Sequence, residues 1–462
     1  MNATNQFRIL LILSVATICS LANATVRASD TLTIAQCRQM ALQHNRQKRI
    51  ATLAAQEALH TQAATRTLFL PSLTANAALA YSNGNLTASI PGGLLPVGAT
   101  DAMQGFVPDG SYAWFPGLEM KMKSNTLCHT GVQLTQPLYM GGKIRAAYSI
   151  ARMVGELQRM AVRKTEAEVI EEADKAYAQA VKATALHQVA LRYMALVEEL
   201  ERNVQSAVNH GMKMRTDLLK VQVRKNEVEL QLLRTQNAIR LATMNLCHVM
   251  GLQLDAPVAV HMSYPDADSI PPMDRTGVEA RPEYGMLDHQ TRIAQRQVDI
   301  ARSEMLPQLA LTAGYGYNRG LELNGRLLLH DWSFAGGVGL TVPLYHFGEH
   351  THKVRAAKLR LEQARTEQED KCSLMMLEVS QCASRLQEAF KEMEVSERSL
   401  AQATDNMQVC LRQYMAGTEP LSEYLEAQLL WQKASEAAVD AGFQRYLGTV
   451  AYLKATGKLT SE

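Results

Sequence analysis

Aromatic residues are scarce in this chain, at 6% of 462 residues, and neither sign of charge is in excess. Lysine and arginine number 47 against 45 aspartate and glutamate residues, which gives a formal net charge of +2. Because a nucleic-acid-binding surface requires a basic excess, this balance gives no indication of a nucleic-acid partner. Few aromatic residues together with abundant alanine favour long packed helices over a compact α/β core.

Motifs of catalytic and metal-binding sites are also missing. The sequence contains no cluster of His, Cys and carboxylate residues at zinc-site spacing, and no Walker, dinucleotide or Gly-x-Ser-x-Gly motif. His346, His350 and His352 lie close together and leave a metal site open, but a solvated segment after a strand is the favoured interpretation. We therefore expect a protein that is not an enzyme and that uses no cofactor or resident metal.

A long apolar run occurs only at the N-terminus. Residues 9–19 are apolar, follow Arg8 and precede small residues, a pattern typical of a cleaved secretion signal. The run is too short for a membrane-spanning helix, so residues 1–28 are interpreted as a signal peptide. The six cysteines that follow form no Cys-x-x-Cys pair; a disulfide stays open, but small buried side chains are the favoured interpretation.

The chain repeats itself with an offset of 206 residues. Residues 131–139 read Gly-Val-Gln-Leu-Thr-Gln-Pro-Leu-Tyr, and residues 337–345 read Gly-Val-Gly-Leu-Thr-Val-Pro-Leu-Tyr. The same offset relates Gly211 to Gly417, Leu219 to Leu425, Gln222 to Gln428 and Gly251 to Gly457. A repeat of this size predicts two fused copies of one supersecondary unit, residues 29–270 and 271–462.

Each copy contains two segments in which apolar residues alternate with small or polar ones, which is the period of a strand. These segments are residues 70–83, 126–139, 306–318 and 331–345. Their length fits tilted strands that cross a bilayer, and four of them in two matched pairs favour a membrane barrel wall over a soluble sheet. Residues 83–124 are rich in glycine and proline and predict a long loop.

A helix precedes each strand pair. One is predicted from Thr33, a suitable N-cap, to about residue 69, and the other covers residues 281–305. Residues 252–279, rich in proline and aspartate, are interpreted as the linker between the two copies.

A long helical hairpin follows each strand pair. Residues 142–210 contain no proline and predict a helix roughly 100 Å long, which turns at Gly211 and returns in a helix capped by Thr216. In the second copy the turn is at Gly417 and the matching cap is Ser422. Helices of this length need lateral partners, and four strands alone close no barrel, so both features predict an oligomer.

These features make the chain similar to the TolC-like family of outer-membrane efflux proteins, also called outer membrane factors. The resemblance covers nearly all of the chain after the signal. It rests on Leu-Pro pairs at 70–71 and 306–307, the strand-to-helix junctions at 134–142 and 340–348, Arg-Pro-Glu at 281–283, Tyr-Met-Ala-Gly at 414–417 and the closing segment 451–459.

The resemblance implies a mainly α fold with a membrane β region. A homotrimer would close a 12-stranded β-barrel, four strands per chain, in lipid of the cell outer membrane, continued by a long α-helical barrel in the periplasm. It implies an exit duct of a tripartite efflux pump, which passively conducts substrates from an inner-membrane transporter of the RND or ABC type and a periplasmic adaptor protein. Two alternatives stay open: an exit duct for type I protein secretion, and a periplasmic coiled-coil tether or adaptor without a channel.

The resemblance also assigns candidate aperture residues. Glu423 and Glu426 follow the second tip glycine by six and nine positions, where the family has acidic residues that line a constricted mouth. Rings of carboxylates there would favour cations. The family's tip tyrosine corresponds to Tyr414, and Asp217 takes the position of Glu423 in the first copy. Glu419 occupies the position of the family's gate arginine, so the usual ionic latch is in doubt.

Some of these residues also have an explanation without a gate, although Glu426 is harder to explain in this way. Acidic residues are favourable in the first turn of any helix, which would account for Glu423 and Asp217. The turns from Gly211 to Thr216 and from Gly417 to Ser422 are candidate docking points for the adaptor. Glycine at a helix end is equally expected from backbone geometry alone.

Overall fold

The computed structural model describes residues 31–101, 105–261 and 277–459. The predicted signal peptide and most of the predicted linker lie outside these residues. The chain divides into two compact units. The first unit comprises the described parts of Met1–Glu57, Glu156–Gln290 and Arg365–Glu462, and the second comprises Ala58–Gly155 and Thr291–Ala364.

The second unit contains a four-stranded antiparallel sheet in the order β1-β4-β5-β6. Its strands are β1 (Ser72–Ile90), β4 (Leu118–Met140), β5 (Gln308–Leu323) and β6 (Arg326–Thr341). The two strand pairs of the repeat meet where β4 pairs with β5, which leaves β1 and β6 as the edges of the sheet.

The two faces of this sheet differ as the alternation predicts. Val132, Tyr315 and Phe334 share one face in register, and Phe334 keeps 72% of its side chain exposed. The opposite face carries small and polar residues; at its centre Gly131 pairs with Gly316, so closely that a β-carbon on Gly131 would lie 2.7 Å from the Gly316 backbone. One face of the sheet is therefore apolar and exposed. On the other face, which is small and polar, neighbouring backbones approach each other closely.

The predicted loop at 83–124 is wrong. The strand β1 continues to Ile90, and β2 (Gly93–Asp101) and β3 (Gly105–Phe115) form a hairpin in a sheet of their own. Gly117, with φ of 80°, lies at one end of this insertion, and strand-forming residues such as Tyr112 and Trp114 occupy β3. The strand β4 starts at Leu118, earlier than predicted, and ends at Met140 after an irregularity between Pro137 and Tyr139.

The helices repeat with matched lengths. The pairs are α2 (Arg46–Thr67) with α5 (Pro282–Ser303), 22 residues each; α3 (Lys143–Asn209) with α6 (Glu349–Met415), 67 each; and α4 (Arg215–Val249) with α7 (Leu421–Ala455), 35 each. The first pair starts 236 positions apart (46 and 282), and the other two start 206 apart (143 and 349, 215 and 421). The first copy is thus 30 residues longer between helix and hairpin, in the region that contains β2 and β3.

The predicted helix at 33–69 is divided in two. The helix α1 (Ile34–His44) begins at Thr33, whose side chain forms the expected cap in a capping box with Gln36. Asn45 then adopts extended φ and ψ angles of −64° and 131°, which end α1. Its side-chain oxygen accepts from the Gln47 amide at 2.8 Å and its amide donates to the Val249 carbonyl at 3.1 Å, so the break is held by hydrogen bonds.

Thr216 and Ser422 are not the N-caps of α4 and α7. The capping positions are Met214 and Pro420, both with extended backbone and neither with a capping side-chain hydrogen bond. Proline fixes φ and lacks a backbone donor, which suits the residue where a helix starts. Thr216 and Ser422 instead occupy the first turn of each helix.

The first unit is built on helix packing. Buried residues of α1, α3 and α4 form one core, which includes Cys37, Tyr177, Leu246 and Cys247, together with Met250 directly after α4. Burial raises the pKa of the Cys37 thiol to about 12, so Cys37 behaves as a small apolar side chain. All six cysteines of the described residues are free thiols. None of the described helices combines the length and the apolar character needed to cross a membrane.

Candidate functional site

The two hairpin tips are built in the same way. Gly211 and Gly417 have φ angles of 75° and 76°, in the left-handed region that glycine tolerates. After each glycine the next amide bonds back across the helix end, from Met212 to Ala207 at 2.8 Å and from Thr418 to Gln413 at 3.0 Å. This is the Schellman arrangement, which stops α3 and α6 and reverses the chain.

Both tips belong to one cluster in the first unit. Its buried residues come from all four long helices: Tyr193, Val197, Leu200, Val204, Leu218, Val221, Val228, Tyr414, Leu421, Tyr424 and Leu425. The structure therefore brings the candidate residues of both copies to a single end of the helical region.

Tyr414 lies at the centre of this cluster, with 7% of its surface exposed. Its ring stacks on that of Tyr424, with centroids 5.9 Å apart and planes 10° from parallel. The ammonium group of Lys213, from the first copy, lies 4.8 Å from the ring centroid of Tyr414. Burial raises the pKa of Tyr414, and the nearby carboxylate of Asp217 raises it further. Tyr414 thus joins the two tips.

Glu423 and Glu426 lie on the solvent-exposed face of α7. Residues between and beside them, Tyr424, Leu425 and Gln428, point into the protein. Neither carboxylate forms an ion pair with any residue in the described part of the chain. Both can therefore form hydrogen bonds or ion pairs with solvent or with another chain. A spacing of three residues places them on the same side of the helix, one turn apart.

Asp217 has a different environment from its counterpart Glu423. Its side chain is 23% exposed and lies 3.5 Å from the ammonium group of Lys220. Lys220 itself stands where the second copy has Glu426. The two copies therefore differ at this end: the first carries a compensated pair, and the second carries two uncompensated carboxylates.

Sequence reasoning missed three residues of the tip cluster: Lys213, Cys410 and Tyr424. Tyr424 could have been found from the spacing of Leu421, Tyr424, Leu425 and Gln428, which is the buried stripe of a helix. Burial raises the pKa of the Cys410 thiol, and the carboxylates of Glu419 and Glu423 raise it further. No sequence signal links Lys213 to Tyr414, since they lie in different copies.

The polar face of the sheet carries a row of hydrogen bonds across its strands. Nδ1 of His129 lies 2.7 Å from Oδ1 of Asn318, and Nδ2 of Asn318 donates to Oγ of Ser333 at 2.9 Å. Nearer β1, Nδ2 of Asn76 donates to Oε1 of Gln133 at 3.3 Å. This face offers hydrogen-bonding groups to water. Across residues 31–101, 105–261 and 277–459, no group of three or more His, Cys, Asp or Glu side chains has the arrangement of a metal site.

Comparison with known proteins gives a consistent result. The family model described as "Outer membrane efflux protein" matches residues 37–252 and 279–458. The chain is 22% identical over 356 residues to the outer membrane efflux protein BepC of Brucella suis, which covers 76% of this chain and 77% of BepC. It is 22% identical over 313 residues to the alkaline protease secretion protein AprF of Pseudomonas aeruginosa, which covers 64% of this chain and 63% of AprF.

Solved structures share the fold. The chain matches the CmeC outer membrane channel of Campylobacter jejuni with a TM-score of 0.73 and 18% identity, over 92% of this chain and 85% of CmeC. The fold expected from the sequence, a TolC-like architecture built from two repeats, is therefore confirmed.

Proposed function

The chain belongs to the outer membrane efflux protein family, and from this membership we propose that it is the outer-membrane exit duct of a tripartite efflux pump. In this role it conducts substrates passively, as the last component after an inner-membrane transporter of the RND or ABC type and a periplasmic adaptor. The energy for transport comes from the transporter.

The observation that carries the proposal is the two-faced sheet with open edges. Among residues 31–101, 105–261 and 277–459 nothing covers its apolar face, and β1 and β6 each have an unpaired side. Three copies that pair edge to edge would close twelve strands, with the apolar face toward lipid and the polar face toward water. In a homotrimer every strand edge would therefore be paired, and the apolar surface would be covered by lipid.

The tip cluster would form the periplasmic end of this duct. In a homotrimer the exposed carboxylates of Glu423 and Glu426 would make two rings, which attract cations and repel anions at a narrow opening. The exposed turns at Gly211 and Gly417, with Thr216 and Ser422 beside them, are the surfaces proposed to meet the adaptor.

Protein secretion is the second candidate function. The similarity to AprF, named as an alkaline protease secretion protein, favours it. Both candidates use the same duct, and the partner transporter distinguishes them. A periplasmic tether without a channel has less support, because it gives no role to the exposed apolar face of the sheet.

The experiment that tests the duct is planar-bilayer conductance of the oligomer extracted with detergent and purified. Stable, cation-selective current steps would support a pore. Release of the protein from cells without detergent, together with failure to insert into bilayers, would contradict the proposal and favour the tether.

A further inference from the structure

Two histidine side chains contact each other at the start of α6. His346 lies just before the helix, and His350 lies in its first turn. The rings of His346 and His350 have centroids 4.6 Å apart and planes 65° from parallel. His346 is exposed, whereas only 19% of the His350 side chain is exposed. Neither ring nitrogen of His350 has a hydrogen-bond partner in the described part of the chain. Its Nδ1 lies 3.8 Å from Oε2 of Glu304, just beyond hydrogen-bond distance.

Buried polar atoms without partners are rare and costly in folded proteins, so the two nitrogens of His350 require an explanation. The first copy of the repeat shows that the fold does not require ionisable groups here. The positions of His346 and His350 correspond to Met140 and Ile144, at an offset of 206. The position of Glu304 corresponds to Leu68, at an offset of 236. The same strand-to-helix junction is thus built once from apolar residues and once from two imidazoles and a carboxylate.

The separation of the two rings fits a shared metal ion. A first-row metal lies about 2.0–2.1 Å from an imidazole nitrogen, and therefore about 3.2 Å from the ring centroid. Two such rings at angles between square and tetrahedral would have centroids about 4.5 to 5.2 Å apart. The observed 4.6 Å falls in this range. An edge-to-face contact between neutral rings has a similar distance, but it leaves the nitrogens of His350 without partners.

We propose that His346 and His350 together bind one divalent transition-metal ion, such as Zn²⁺ or Cu²⁺, each through one ring nitrogen, with water completing the coordination. In this site Glu304 orients His350 and is not itself a metal ligand. A small movement closes the 3.8 Å gap between Oε2 of Glu304 and Nδ1 of His350, so that Nδ1 donates to the carboxylate and Nε2 is left for the metal. Because Glu304 follows α5 directly, the ion would tie the end of α5 to the start of α6.

The surrounding charges tolerate a bound cation. The N-terminus of α6 carries the positive end of the helix dipole, which opposes a metal ion. The carboxylates of Glu304 and Glu349 offset it, and the ammonium group of Lys353 bridges them at 3.1 and 2.8 Å. His352 is exposed and does not share in the contact between the two rings, so it provides a natural control.

The test uses the untagged, detergent-purified protein after removal of metals with a chelator. Zn²⁺ is titrated by calorimetry, and pulsed EPR of the Cu²⁺-loaded protein counts the coordinated imidazoles. His346→Met and His350→Ile introduce the residues of the first copy, so they keep apolar packing at the junction. Helix content and melting temperature without metal verify that each variant is folded.

The expected result is one ion per chain and a signal from two imidazoles. Each of the two variants should weaken Zn²⁺ binding more than tenfold and reduce the signal to one imidazole, whereas His352→Asn should bind as the unmodified protein does. Glu304→Gln should weaken binding by about 10- to 100-fold and keep both imidazoles. Absence of saturable binding, or binding unchanged in folded His346→Met and His350→Ile proteins, would overturn the proposal.

Discussion

Gly251 packs directly against the carbonyl group of His44, so that a β-carbon on the glycine would lie 2.6 Å from that oxygen. The second copy repeats the contact: a β-carbon on Gly457 would lie 3.1 Å from the carbonyl carbon of Ala280. Both glycines have left-handed φ angles, of 72° and 68°. In each copy the return helix of the hairpin, α4 or α7, therefore ends against the backbone just before the 22-residue helix, α2 or α5.

The contact at Gly251 predicts a larger cost of substitution than at Gly211. Both residues have φ near 75°, so alanine strains the backbone by about 1–2 kcal/mol at either position. Gly211 has open space around it, whereas Gly251→Ala also forces His44 away, which adds about 1–3 kcal/mol. Thermal melting of the two variants should show a clearly larger loss for Gly251→Ala. Equal losses would contradict the packing role.

The stacked rings at the tip predict that Tyr424 holds the hairpin end together. Tyr424 is 3% exposed, and Tyr424→Ala should destabilise the tip by about 3 kcal/mol through loss of packing and of the stack on Tyr414. Hydrogen exchange of residues 405–430 should become faster. Tyr424→Phe keeps the ring and serves as the matched control, with exchange close to that of the unmodified protein. Unchanged exchange in the alanine variant would refute the prediction.

The uncompensated carboxylates predict an effect on ion selectivity. In the proposed duct, Glu423→Ser with Glu426→Ser should lower cation over anion permeability or change the open probability, because two rings of charge are lost. Asp217→Ser is the comparison, and its effect should be smaller since Lys220 already compensates this acid. Reversal potentials in a salt gradient measure the difference. Currents unchanged in the double variant would exclude an aperture role for both glutamates.

The ion pairs of Glu171 predict a pH-dependent stability. Partial burial raises its pKa, but Lys175 and Lys454 more than compensate and hold the pKa below its ordinary value of 4.5. The ammonium group of Lys454, in α7, lies 2.6 Å from the carboxylate in α3. A lowered pKa means that the stabilisation is complete above pH 4.5 and is lost as the pH falls through the lowered value.

Glu171→Gln should therefore cost about 1–2 kcal/mol at pH 7, and the difference from the unmodified protein should shrink below pH 4.5. Melting curves across this range provide the measurement. Glu168→Gln, in the same helix, is the control: its partner Lys164 is 3.5 Å away and the two side chains are 44% and 39% exposed, so solvent screens the pair and little change is expected. A difference that stays constant with pH would count against the ion-pair explanation.

The helical part of the fold was accessible from the sequence because its signals are long and duplicated. The turns at Gly211 and Gly417 combine a glycine with an uninterrupted apolar period on either side, and the structure has them where predicted. Tertiary contacts decided what local patterns could not. Asn45 interrupts the predicted helix because its side-chain amide donates a hydrogen bond to the carbonyl of Val249, 204 positions away.

The strand region shows why turn residues alone mislead. Pro108, Asp109 and Gly110 form a typical turn sequence, yet they lie within β3. Pairing with β2 continues on both sides of them, and a register shift opposite Val97 and Gly98 leaves Asp109 and Gly110 without partners in β2. At the tip, Glu423 and Asp217 looked equivalent in the repeat, and only the structure separates an exposed acid from one paired with Lys220.

The 30-residue difference between the copies has a practical consequence. The hairpin of β2 and β3 is attached to one copy only, and on either side of it the helices keep matched lengths. We therefore expect that this hairpin can be exchanged without changing the duplicated framework. A peptide epitope or a fluorescent label grafted between Gly92 and Gly117 would report on the chain while leaving both halves of its internal symmetry intact.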